Sequence, residues 1–121
     1  MSYFYLSQPY NGTESEKKHR ASIGAQICGS FIKKGIHVLS PIVHNHALLK
    51  EYPHFSLEER KTLILDFDFT LLKASQGMIV LQLEGWENSY GVNAEIEFCK
   101  KHNIPIYFLN LDETKTWHPP L

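Results

Sequence analysis

The sequence predicts a three-layer α/β sandwich around a parallel sheet of four or five strands, and three observations carry that reading. Short apolar runs of strand length alternate with longer stretches whose apolar residues recur at helical spacing. The run Gly77-Met78-Ile79-Val80-Leu81-Gln82-Leu83 is apolar on almost every position, as a parallel strand covered on both faces must be. The composition agrees: 121 residues with 43% hydrophobic, 21% charged and 12% aromatic side chains fit one folded domain over residues 1–121 and exclude a disordered, collagen-like or low-complexity chain.

Each element follows in chain order. Tyr3-Phe4-Tyr5-Leu6 reads as a first strand, stopped by the turn-forming Ser7-Gln8-Pro9-Tyr10-Asn11-Gly12. From about Thr13 to Lys34, Ala21, Gly24, Ala25, Cys28, Phe31 and Ile32 recur at helical spacing, and Gly35 supplies the stop. Ile36 to Ser40 is a second strand, followed by a loop, Pro41-Ile42-Val43-His44-Asn45-His46. Ser56-Leu57-Glu58-Glu59 has capping-box spacing, and no Gly or Pro interrupts residues 57–76, so a helix is expected with Leu57, Ile64, Phe67 and Leu71 on one face. The apolar run from Gly77 is the third strand. A helix from about Ser89 to His102 and a last strand from Ile104 to Leu109 complete a doubly wound, flavodoxin- or Rossmann-like arrangement with right-handed crossovers. The tail from Asp112, with Trp117, has no periodicity and packs on its own domain or on a neighbouring subunit.

Charge and cysteine usage narrow the function classes. Twelve Lys+Arg against thirteen Asp+Glu give a net charge of −1, which disfavours a protein that tracks nucleic-acid phosphates. Cys28 and Cys99 lie far apart in periodic stretches and read as small core residues of a reducing compartment rather than as a disulfide or zinc framework. No apolar run approaches the ~20 residues of a membrane span, and the first residues lack the pattern of a secretion signal, so a cytoplasmic protein without membrane partners is expected.

Open α/β sheets take ligands beyond the carboxyl ends of their strands. Ser7 to Gly12, Pro41 to His46, Glu84 to Ser89 and Asn110 to Glu113 are therefore the candidate loops. On the helix after Trp86, Val92, Glu95, Ile96 and Cys99 share one face, so Glu95 should look toward the sheet while Glu97 stays outside. The helix dipole would keep such a carboxylate charged and available as a nucleophile; a cap or core-edge glutamate is the plainer alternative. Asp68 falls beside the packed stripe of its helix, where an unpaired carboxylate needs a buried partner or a ligand. Asp66-Phe67-Asp68-Phe69-Thr70 also matches the Asp-x-Asp-x-Thr strand motif of haloacid-dehalogenase-type phosphatases, but the capping box and Phe69 at the usual glycine speak against it. His44 and His46 lack a clear third ligand for a metal. Trp86 can stack a planar ligand or close the core, and Arg20 with Lys17 can attract a phosphate or form a solvated face.

On these residues the chain resembles the nucleoside 2-deoxyribosyltransferase-like superfamily, and within it the small bacterial and phage domains. The carriers are Tyr5-Leu6-Ser7-Gln8-Pro9-Tyr10, Ser40-Pro41-Ile42 with His44 and His46, Asp68, and Gly85-Trp86-Glu87-x-Ser89-x-Gly91-x-x-x-Glu95. The resemblance spans about residues 3 to 109. It implies that Glu95 attacks the anomeric carbon of a nucleoside, that Tyr5 orients it, and that Asp68 contacts the base or its departing nitrogen. Ser7, Gln8, Pro9, Tyr10, Arg20, His44, His46, Trp86, Ser89 and Gly91 would bind substrate. Serine at position 89 is similar to members that hydrolyse nucleoside monophosphates, since a hydroxyl at a helix N-terminus can bind a 5′-phosphate where a second carboxylate would repel it.

The expected function is thus hydrolysis or base transfer on a nucleoside or nucleoside 5′-monophosphate, without cofactor or metal. A homodimer or larger homo-oligomer is implied because neighbouring subunits complete the site in the resembling family. A non-catalytic nucleotide-binding module and a Mg²⁺-dependent phosphatase using Asp66 are the alternatives.

Overall fold

Thr13 opens the first helix with a reciprocal cap: its hydroxyl accepts from Glu16 N at 3.1 Å while the Glu16 carboxylate accepts from Thr13 N at 2.9 Å. The computed structural model describes residues 2–120. In order they form β1 (Phe4–Ser7), α1 (Glu14–Lys33), β2 (Val38–Leu39), α2 (Pro41–Glu51), α3 (Leu57–Glu59), a π-helical turn (Arg60–Ile64), α4 (Leu65–Lys73), β3 (Gly77–Leu81), α5 (Tyr90–His102) and β4 (Ile106–Leu109). Short 3₁₀ turns precede α5 at Trp86–Asn88 and follow β4 at Glu113–Lys115.

The four strands are all parallel in the order β2-β1-β3-β4, inside the four or five expected. The chain runs outward from β1 to β2 and returns across β1 to β3. Strand order therefore reverses between β1 and β3, and the crevice at their carboxyl ends is where a doubly wound sheet takes a ligand. Successive strand side chains point to opposite faces. Phe4, Leu6, Ile79 and Leu81 pack with Phe31 and Ile36 on the α1 side; Tyr5, Met78 and Val80 pack with Leu72, Val92 and Cys99 on the α4–α5 side. Two apolar layers thus flank one sheet, giving the three-layer α/β sandwich.

Three expectations need correction. The residues after β2 are not a loop: the Ser40 hydroxyl accepts from Val43 N at 3.2 Å, Pro41 takes the first helical position, and α2 runs to Glu51. The helical stretch from Leu57 ends at Lys73 and contains a π turn, whose wider ring rotates everything after it. Asp68, expected beside the packed stripe, faces inward with Leu72, while Leu57 and Phe67, expected in the core, are 68% and 41% exposed. On α1, Ile23 and Ile27 pack inward and Ala25 and Ile32 face out. The close approach that sets this rotation is at Gly24, where a Cβ would come within 2.2 Å of Gln8 Oε1.

The tail packs on its own chain. The Trp117 ring meets Phe4 edge-on at 5.3 Å and Phe31 at 5.9 Å. Trp117→Ala should lower stability by about 2 kcal/mol, below the ~3–5 kcal/mol of a fully buried aromatic because the ring is only half-buried, as read by denaturant unfolding. Both cysteines are free and lie in opposite layers; burial pushes the Cys28 thiol up to about 11 and Cys99 to about 12, so both stay protonated packing residues. Among the described residues no helix is long and apolar enough to cross a membrane.

Candidate active site

Ser89 caps α5, its hydroxyl accepting from Val92 N at 3.3 Å, and this starts the helix with Val92, Glu95 and Cys99 on the buried face. Strand alternation turns Tyr5 and Ser7 of β1 toward the same face. The Tyr5 hydroxyl donates to Glu95 Oε2, and the Ser7 hydroxyl donates to Oε1 at 2.7 Å. Both carboxylate oxygens are thereby fixed by β1, and Glu95 is only 7% exposed.

Burial pushes the Glu95 carboxyl up to about 7, the Tyr5 and Ser7 hydrogen bonds pull it down, and the nearby Asp68 charge raises it again. The sequence reading expected the helix dipole to hold this group charged. A dipole contributes about 0.3–1 kcal/mol near a helix end, less than one pKa unit at about 1.4 kcal/mol per unit, so desolvation wins. Burial and the adjacent Glu95 charge also hold the Tyr5 phenol well above its ordinary range, so it remains a donor.

Asp68 has the buried partner its position demanded. Asn45 of α2, 4% exposed, donates through Nδ2 to Asp68 Oδ1 at 2.9 Å. Burial raises the Asp68 carboxyl to about 6, against the lowering effects of Asn45 and of the His44 ring. The two acids are thus shifted by the same cause to different values, both within reach of neutral pH.

A cavity of about 190 Å³ opens between α2, the π turn, α4 and the start of α5, with Asp68 and Glu95 in its wall. Gln8, Tyr10, Ser89 and Gly91 also line it, as the sequence suggested. Lys17, Arg60 and Lys61 line it too. Ile42, Leu49, Leu57, Ile64 and Leu65 add an apolar share to the wall, so the lining combines apolar side chains, two buried carboxylates and cations that reach solvent. Cations so placed suit an anionic ligand tail.

Several residues singled out as substrate contacts stand elsewhere. Ser7 holds the Glu95 carboxylate, and Pro9 is buried outside the cavity wall. Arg20 anchors the first loop by donating to the carbonyls of Tyr10 and Asn11. Trp86 closes the core against Phe108, ring centres 5.7 Å apart, and does not reach the cavity. His44 lies exposed over Phe67 with its ring nitrogen 2.9 Å from Asn45 Oδ1, and His46 Nδ1 is 2.7 Å from the Tyr10 hydroxyl in the wall of a neighbouring cavity. No group of three His, Cys, Asp or Glu side chains able to hold a metal occurs among the described residues. Asp66 is exposed on the helix α4, not at a strand end as the phosphatase motif would need.

Asn45, Arg60 and Lys61 are the site residues that sequence reasoning missed. The Ser40-Pro41 pair, a helix-start signal, could have placed Asn45 on a helix facing Asp68. Nothing in the sequence marks the π turn that carries Arg60 and Lys61.

The hydroxyl of Tyr5 stabilises the charged form of Glu95, so its loss has a readable sign. Tyr5→Phe should raise the Glu95 carboxyl further and shift any rate that needs this carboxylate ionised to higher pH, with a drop of about 10- to 100-fold at neutral pH. A pH–rate profile of the variant checks this.

No curated protein matches the sequence. Residues 2–110, nearly all of the chain, match the family described as "Domain of unknown function (DUF1937)". The sandwich and the Tyr5–Glu95–Ser7 arrangement, which runs from the first strand to the last helix, lie wholly inside that match. The chain belongs to the DUF1937 family.

Proposed function

We propose that the protein cleaves the N-glycosidic bond of a nucleoside 5′-monophosphate, with Glu95 as the nucleophile. The observation that carries the reading is the Glu95 carboxylate itself, buried in a cavity wall with each oxygen held by one hydroxyl of β1 and a second raised acid beside it. A structural glutamate does not need a cavity. The resemblance of Gly85-Trp86-Glu87-x-Ser89-x-Gly91-x-x-x-Glu95 to the nucleoside 2-deoxyribosyltransferase-like superfamily supports the same residue independently.

Ionised Glu95 attacks C1′ as the C1′–N bond breaks, through a transition state with positive charge on the ring oxygen and C1′. Asp68 gives its proton to the departing base, directly or through a water. The glycosyl ester on Glu95 is then opened by water, whose proton returns to Asp68, or by a second base in a transfer reaction. Tyr5 and Ser7 hold the carboxylate in place, so little reorganisation accompanies the charge change. Ser89 and the first turn of α5, with Lys17 and Arg60 in the same cavity lining, suit the 5′-phosphate.

Incubation with a panel of nucleosides and their 5′-monophosphates, followed by chromatography for free base, tests the reading. Release from at least one monophosphate, and none with Glu95→Gln, is the expected result. Binding without release from any member would leave a nucleotide-binding module instead.

A further inference from the structure

The cavity that holds Glu95 does not end at its cations. Lys17, Arg60, Tyr10 and Leu49 form a wall shared with a second, wider cavity of about 440 Å³. Four cationic side chains, Lys17, Lys18, Lys50 and Arg60, face this second space against one carboxylate, Glu14. That carboxylate is committed: it is almost fully exposed and pairs with Lys17 at 3.7 Å. Arg60 is half-buried and makes no side-chain hydrogen bond or ion pair among the described residues. A guanidinium at a cavity wall with no acceptor on the protein has its planar donor face free for an anion supplied by a ligand.

The placement of these groups is specific. Arg60 stands in the π turn, and Lys17 faces it from the second turn of α1. A phosphate seated between them would be the boundary of the two cavities. A single 5′-phosphate would use only this boundary and leave Lys18 and Lys50 facing an empty basic space. A chain of two or three phosphates would continue past it.

We infer that the site takes a nucleotide with at least two consecutive phosphates, the first held at Arg60 and Lys17 and the rest extending into the Lys18–Lys50 cavity. The inference rests on the glycosidase reading for where the sugar lies, and extends the preferred substrate from a monophosphate to a nucleoside diphosphate, triphosphate or pyrophosphate-linked dinucleotide. All three share the same recognised group.

Calorimetric titration of the Glu95→Gln protein, which cannot turn over, separates binding from chemistry. Nucleoside 5′-mono-, di- and triphosphates of one base, and a pyrophosphate-linked dinucleotide, are the ligands. The expected result is at least a tenfold tighter dissociation constant for the diphosphate than for the monophosphate, falling steeply with added salt. In the Lys18→Gln/Lys50→Gln double variant that ratio should fall toward one, whereas Arg60→Gln should weaken mono- and diphosphate alike and leave the ratio close to its wild-type value. A further gain with the triphosphate, or with the dinucleotide, identifies which extension the second cavity accepts. Equal affinity for mono- and diphosphate, a ratio unchanged in the Lys18→Gln/Lys50→Gln variant, or no loss of affinity for either ligand in Arg60→Gln would overturn the inference. Tight diphosphate binding by a wild-type protein that releases no base would keep the subsite and remove the glycosidase reading, so the two fail separately.

Discussion

Glu95→Gln is expected to lower base release by three orders of magnitude or more and, at the same time, to make the protein more stable above pH 7. The rate loss follows from the chemistry, because an amide cannot form the glycosyl ester. A 10³-fold loss corresponds to about 4 kcal/mol of barrier. The stability gain follows from linkage. The folded carboxyl is raised to about 7, above the ordinary glutamate value it recovers on unfolding. Between those two values the folded state holds a proton that the unfolded state releases, so stability falls as pH rises through this window and stays low above it. The penalty in the wild type above pH 7 is on the order of 3 kcal/mol. Glutamine is not subject to it: its oxygen can accept from Tyr5 and its amide can donate to Ser7. Urea denaturation of both proteins at pH 5 and pH 8 should show a difference that is small at pH 5 and several-fold larger at pH 8. A catalytic group that destabilises its own fold is what a trade between function and stability produces.

The pH dependence of turnover should be bell-shaped and centred at about 6.5, and Asp68→Asn should remove its alkaline limb. The reaction needs Glu95 ionised and Asp68 protonated, yet Glu95 sits at about 7 and Asp68 at about 6. The competent form is the minority one, roughly one molecule in twenty at the optimum. Replacing Asp68 removes the group whose ionisation ends the reaction at high pH. It also removes a negative charge that raises Glu95. The variant profile should therefore be a single rise with a midpoint below 7, reaching a plateau about 10²- to 10³-fold under the wild-type maximum. Profiles of kcat/KM from pH 5 to 9 test this, and an alkaline limb that persists in Asp68→Asn would take the acid role away from Asp68.

Much of the arrangement was legible because it depends on short-range pattern. The apolar run at Gly77 could only be a strand buried on both faces, and the 3.6-residue spacing of Val92, Glu95 and Cys99 put the carboxylate on the packed side of α5. Tyr5 and Ser7 share a strand face by alternation alone, but the Glu95 carboxylate that Ser7 holds lies 88 residues away in the chain. Long-range pairing is what a single sequence hides. Asn45 meets Asp68 only because Ser40 and Pro41 start a helix where a Pro- and His-rich stretch suggests a loop. Helical spacing from Ile64 to Leu72 already put Asp68 beside the packed stripe; the outward turn of Leu57 and Phe67 goes with the π turn, which no residue type announces. Trp86 and Arg20 looked like rim residues by position and proved to be a core plug and a loop anchor, because long side chains reach past the place where their backbone stands.

The stereochemistry of methanol transfer tests the central claim most directly. With methanol present as acceptor, a glycosyl ester on Glu95 must form by one displacement at C1′ and open by a second, so a β-nucleotide should yield the β-methyl glycoside, assigned by proton NMR of the earliest product. An α-methyl glycoside would mean a single displacement by solvent and would contradict a nucleophilic role for Glu95.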